Sequence, residues 1–215
     1  MITLLNGDCF ELLKDIRSES VDMILTDPPY GMNYQSNMRT VNKYDKIKND
    51  GNLDWLDGTV AEMYRVAKDN TAHYVFCSFH MIDKFKQSLQ KRFKVRNILV
   101  WVKNETGMGD INGDFRPVCE FIFLLHKGRR VYNGRRDPNV FHFKETGNIN
   151  HPTEKPIDLC AYLISKFSNE GDVVLDMFMG SGSTGVAAKK MRRGFIGIEL
   201  NEQYYKTAKK RIDAN

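Results

Sequence analysis

Asp172-Val173-Val174-Leu175-Asp176-Met177-Phe178-Met179-Gly180-Ser181-Gly182-Ser183-Thr184-Gly185 is the stretch that decides the fold. Its apolar opening, Val173 to Asp176, reads as a short buried strand, and the residues from Ser183 onward read as a helix to about Met191. Between them Gly180, Gly182 and Gly185 give the G-x-G-x-x-G spacing, and Glu199 ends the next predicted strand, Phe195–Glu199, about twenty residues on. Glycines let the backbone come close to a ligand, and a carboxylate at a neighbouring strand tip can accept hydrogen bonds from both hydroxyls of a ribose. A merely structural tight turn is the competing reading. A phosphate-binding P-loop is disfavoured, because no basic residue stands where its lysine belongs, near Ser183-Thr184.

Position argues against a dinucleotide. After Glu199 only one helix remains, from Glu202 to about Ile212, so a second nucleotide-binding half cannot follow. N-terminal strands must complete the sheet, which makes this a circularly permuted α/β fold with Ile2–Leu5 following Glu199 in space. Gly7-Asp8 then ends the third strand, and Asp27-Pro28-Pro29-Tyr30, after the apolar run Val21 to Thr26, ends the fourth. All these tips face one crevice, where ligands of open α/β sheets bind. Asp8 is a candidate partner for an adenine amine, with the helix N-cap as its other reading.

Two consecutive prolines remove two backbone donors and stiffen the chain, so Asp27 and the Pro28 carbonyl are presented as fixed acceptors. Acceptors converging on a small volume suit an exocyclic aromatic amine. Holding both amine protons favours the pyramidal form, whose lone pair can attack an electrophilic methyl group. Tyr30 is placed to stack on the base, a contact worth roughly 1–3 kcal/mol in single-strand systems. The bland alternative is a turn closing a strand.

Elsewhere the chain reads as helix, strand, helix from Asn52 to Arg92, then two longer apolar runs, Val95–Val102 and Val118–Leu125. If those runs pair, they make an antiparallel edge on an otherwise parallel sheet. Residues 126–151 are polar and irregular apart from Val140-Phe141-His142-Phe143, and Pro156 suits a first helical turn.

The 215 residues are 41% hydrophobic and 27% charged, with a formal net charge of +5, which fits one soluble α/β domain and is compatible with nucleic acid. Apolar runs fall short of the roughly 18–20 residues that span a membrane, and the expected location is the cytoplasm. The four cysteines are scattered and have no zinc-site spacing, so no metal is expected. Arg129, Arg130, Arg135 and Arg136 bracket Val131-Tyr132-Asn133-Gly134; phosphate contact and a solvated surface loop are the two readings. The same pair of readings holds for Asn33 to Asp50, with Tyr34, Arg39 and Lys43.

In order and spacing, Asn6-Gly7-Asp8-Cys9, Asp27-Pro28-Pro29-Tyr30-Gly31, His151-Pro152-Thr153-Glu154-Lys155-Pro156, Asp176 through Thr184 and Ile198-Glu199 resemble the S-adenosylmethionine-dependent DNA amino-methyltransferases whose catalytic motif precedes the cofactor motif. The resemblance covers nearly the whole chain. It implies a circularly permuted Rossmann-like fold with a mostly parallel seven-stranded sheet and one antiparallel edge strand, in a single domain, with a short target-recognition insertion at about 126–151. Asp27, Pro28, Pro29 and Tyr30 are then the catalytic residues. Asp8, Cys9, Asp27, Lys155, Asp176, Phe178, Gly180, Ser181, Gly182, Ser183, Thr184 and Glu199 form the cofactor site, with Lys155 near the methionine end. DNA is the expected partner, with the target base flipped out of the duplex, and related enzymes often dimerise. Met177 stands where proline is usual. Aspartate at position 27 favours adenine N6 over cytosine N4. A non-catalytic nucleic-acid-binding regulator and a nicotinamide oxidoreductase are the weaker alternatives.

Overall fold

The computed structural model describes residues 1–30, 52–104, 112, 113, 115–147, 151 and 153–215. Among the described residues eight strands form one sheet: β1 (Ile2–Asn6), β2 (Met23–Thr26), β3 (Thr71–Cys77), β4 (Lys94–Val102), β5 (Cys119–Lys127), β6 (Val140–His142), β7 (Val173–Asp176) and β8 (Gly194–Glu199). Their order is β1-β8-β7-β2-β3-β5-β4-β6. The first five are parallel neighbours, β5 is antiparallel to both β3 and β4, and β6 is parallel to β4.

The expected permutation is present, since Ile2 to Asn6 pair in register with Phe195 to Glu199. Two details correct the sequence reading. The sheet has eight strands rather than seven, because Val140–His142 adds to Val100–Val102. The antiparallel strand is not at the edge, because the run from Cys119 inserts between β3 and β4.

Alternation along the central strands separates two cores. Met23, Leu25, Tyr74, Phe76 and Val174 point to one face, under α4 (Ile157–Phe167), α5 (Ser183–Lys190) and α6 (Glu202–Asp213). Ile24, Val75, Cys77 and Leu175 point to the other, under α1 (Cys9–Leu13), α2 (Leu56–Val66) and α3 (Ile82–Leu89). Both faces being covered, β2 and β3 are buried at every position, which is why Met23–Leu25 and Tyr74–Phe76 read as apolar on both faces. Among the described residues no helix is long and apolar enough to cross a membrane.

At the start of α5, Gly182 has φ +84°, and a Cβ there would lie 2.9 Å from the Ala208 Cβ and 3.1 Å from its Cα on α6. The glycine is therefore required twice over, for a left-handed backbone and for close helix approach. Gly182→Ala is expected to cost about 1–3 kcal/mol, read as a lower urea midpoint; an unchanged midpoint would show that α6 is free to retreat.

Candidate active site

The carboxyl ends of β1, β2, β3, β7 and β8, with the amino end of β5, surround one cavity of about 840 Å³. One side is built on the glycine-rich turn. Glu199, at the tip of β8, accepts the Gly180 N–H at 2.8 Å through Oε2 and the Asn201 N–H at 2.7 Å through Oε1. Burial raises this carboxyl, while those two amides oppose the rise. Asp8 caps α1 by accepting the Phe10 N–H at 2.8 Å and also lines the cavity, so its two readings are compatible. Beside it, burial pushes the Cys9 thiol up to about 12, leaving it protonated and a poor nucleophile.

Asp176 closes β7 against β2. Its Oδ1 accepts from Thr26 Oγ1 at 2.9 Å and from the Phe178 N–H at 3.2 Å, and burial raises the carboxyl to about 6. Phe178 packs against Trp55 with ring centroids 5.5 Å apart. Ser183 Oγ, on the first residue of α5, and Thr59 Oγ1 are buried in the cavity wall without a hydrogen-bond partner. Such orphaned polar atoms are costly unless a ligand satisfies them. With the Glu199 carboxylate and the close backbone at Gly180, they fit a polar, nucleoside-bearing cofactor.

The other side is a cluster of buried charge. Asp27 Oδ1 accepts the Tyr30 hydroxyl at 2.5 Å, and Oδ2 meets Lys155 Nζ at 2.5 Å. Lys155 lies over the Phe76 ring, 5.0 Å from its centroid, and is 3.3 Å from Glu120 Oε2. Glu120 Oε1 pairs with Lys103 at 2.6 Å, and Lys103 reaches Glu145 at 3.0 Å. Burial alone would discharge Lys155, but Asp27 and Glu120 outweigh it and hold the ammonium well above its usual range. Burial raises the Asp27 carboxyl against the pull of Lys155, and it leaves the Tyr30 hydroxyl firmly protonated.

Several expected positions need correction. Lys155, expected in the segment bordering the methionine end, stands on Asp27. Gly182 does not line the cavity but faces α6. The arginine segment is at the far end of the sheet. Because β5 runs antiparallel, its carboxyl end pairs Lys127 with Thr71 at the start of β3, roughly 17–20 Å along the strand from Phe76 and Cys77 in the cavity wall at about 3.3 Å per residue. There the Arg129 N–H donates to Asn70, Arg130 Nε donates to the Phe167 carbonyl at 3.1 Å, and Arg135 and Arg136 are exposed. Tyr34, Arg39 and Lys43 lie outside the described residues.

Sequence reasoning missed Glu120, Lys103, Glu145, Trp55 and Arg211. A glutamate inside the apolar run Val118–Leu125 was the available signal, since buried charge in a strand requires a partner. Arg211 had none: from α6 it donates to the Ser181 carbonyl and Oγ, both at 2.7 Å, and pairs with buried Glu154 at 2.6 Å. Arg211→Met is expected to cost about 3–5 kcal/mol by stripping that carboxylate of its guanidinium, seen as a lower melting temperature that Glu154→Gln partly restores.

The DNA methylase family for N6 and N4 amines matches residues 21–210. The chain is 36% identical over its whole length to YubD of Escherichia coli (strain K12), covering 91% of that protein. It is 31% identical to the DNA adenine methyltransferase YhdJ of the same strain, over 98% of this chain and 82% of YhdJ. The crystal structure of M1.HpyAVI in complex with SAM superposes with a TM-score of 0.78 at 30% identity, covering 99% of this chain and all of that one. With the family model spanning most of the chain and these proteins matched over most of their own length, the chain belongs to the N6/N4 DNA methylase family.

Proposed function

We propose that the protein transfers a methyl group from S-adenosylmethionine to the exocyclic N6 amine of adenine in DNA, acting in the cytoplasm. The observation that carries this reading is the placement of Asp27, gripped by Tyr30 and Lys155, in the same cavity as Gly180 and Glu199. When bound, the cofactor supplies an electrophilic methyl group on a sulfonium. Glu199 is suited to its ribose hydroxyls, Asp8 to its adenine amine, Trp55 and Phe178 to a ring face, and Ser183 Oγ to a polar group at the start of α5.

Among the described residues each Asp27 oxygen has one side-chain donor, which leaves it a lone pair for an amine proton. The Pro28 carbonyl is the second acceptor. Together they hold the amine in the form whose lone pair points toward the methyl donor. Direct attack needs no covalent enzyme intermediate, in keeping with the protonated Cys9, Cys77 and Cys160 thiols. A base reaches this depth only after leaving the stack. The Tyr30 ring stays on the cavity wall as a stacking surface for it.

Aspartate at position 27 and the likeness to a DNA adenine methyltransferase favour adenine. A family that includes N4 amines makes cytosine the second reading. Incubation of duplex DNA with labelled S-adenosylmethionine, digestion to nucleosides and mass identification is the deciding experiment: N6-methyladenine is expected, and N4-methylcytosine would reassign the base. Asp27→Ala is expected to lose turnover while retaining cofactor binding by calorimetry; a variant that still methylates would sink the mechanism.

DNA contact belongs at the cavity rim, near exposed Arg116 beside Pro117, rather than at the arginines beyond β5. Arg116→Glu is expected to weaken DNA binding and lower the slope of log affinity against log salt by about 1, whereas Arg129→Glu with Arg135→Glu leaves both unchanged. Filter binding across a salt series tells the two surfaces apart.

A further inference from the structure

The charge behind Asp27 extends further than holding an amine requires. Lys155 is shared between Asp27 and Glu120, and Glu120 is shared between Lys155 and Lys103, which also meets Glu145. Side-chain exposure is 19% at Asp27, 9% at Lys155, 22% at Glu120, 20% at Lys103 and 28% at Glu145, so Lys155 is the most buried member of the run and Glu145 the most exposed. Signs alternate along it, with three carboxylates against two ammonium groups.

Methylation makes a demand on this arrangement. The amine lone pair forms the new N–C bond and the C–S pair departs with sulfur, so the nitrogen is left with one proton too many. That N–H bond breaks, its electrons return to nitrogen and the proton passes to Asp27. A carboxylate that is the sole counter-ion of a buried lysine resists this, because neutralising it strands an uncompensated ammonium in a dry site. A second carboxylate on the same lysine removes the penalty.

We propose that Glu120 is a positioning residue for methyl transfer: by sharing Lys155 with Asp27, it keeps that ammonium compensated while Asp27 takes up the proton released from the methylated amine. The proposal rests on the amine-methylating reading of the site. The other groups facing Asp27 do not substitute for Glu120. Tyr30 and the thiols of Cys77 on β3 and Cys160 on α4 are protonated, and Asp176 on β7 is committed to Thr26 and the Phe178 amide.

Single-turnover methyl transfer to duplex DNA, measured against pH, tests the role. Removing the Glu120 charge makes Asp27 less basic, so Glu120→Gln should slow the plateau rate about tenfold or more and move the acid limb down by about one pH unit. Cofactor affinity should be retained. Lys103→Met removes a positive charge instead and should move the limb upward. Opposite displacements are not produced by general damage to the fold. An unchanged plateau and limb in Glu120→Gln, or displacement of both variants in the same direction, overturns the proposal. If Glu120→Gln fails to bind cofactor, Lys103→Met decides alone: an upward limb supports the role and an unmoved or lower limb defeats it. Wild-type protein that transfers no methyl to an amine would defeat the underlying reading of the site, while wild-type transfer with unshifted variants defeats only the assignment to Glu120.

Discussion

The strand ending at Thr26 lies beside the strand ending at Asp176, in parallel register, with Met23 opposite Val174 and Ile24 opposite Leu175. Thr26 donates to the Asp176 carboxylate across that pair, so the residues that follow, Asp27 on one side and Met177 to Gly180 on the other, emerge next to each other. A one-residue slip would turn every side chain to the opposite face, exchanging Met23 and Leu25 for Ile24 against two different helical layers. The two apolar cores therefore fix the register, and the register fixes where Asp27 stands relative to the glycine-rich turn. Function in this molecule is a consequence of core packing at a distance of 150 positions in the chain.

Charge in the cavity floor obeys the same economy of position. Lys155 and Lys103 rest against the rings of Phe76 and Trp101, which exclude water and strengthen each ion pair. In such surroundings a carboxylate is held in place without being solvated, and its remaining lone pairs are available only to what enters the cavity.

Much of this was legible from residue types. The permutation followed from counting what remained after Glu199, and the convergence of Asp8, Asp27, Gly180 and Glu199 followed from placing each at a strand tip. The charge network was not legible, because it depends on which residues of β4 and β5 face one another: Trp101 opposite Glu120 and Val102 opposite Cys119 put Lys103 within reach of Glu120. Register between two apolar runs is set by side chains across the sheet, and local pattern carries little of it. The arginine segment was misplaced for a related reason. Its composition suited phosphate, but the reversed direction of β5 carries it to the opposite end of the sheet and against the carboxyl end of α4.

The pairing of β1 with β8 also sets an order of events during synthesis. The neighbours β3, β5 and β4 span residues 71–127 and can form their antiparallel contacts as soon as that segment is available. Among the described residues, the strand at residues 2–6 has β8 at residues 194–199 as its one strand partner. It must wait with an unpaired edge until residues 194–199 have been translated. Loop closure over such a separation is slow and leaves the edge open to wrong partners. Folding of this permuted sheet accordingly closes on a strand made long before its partner.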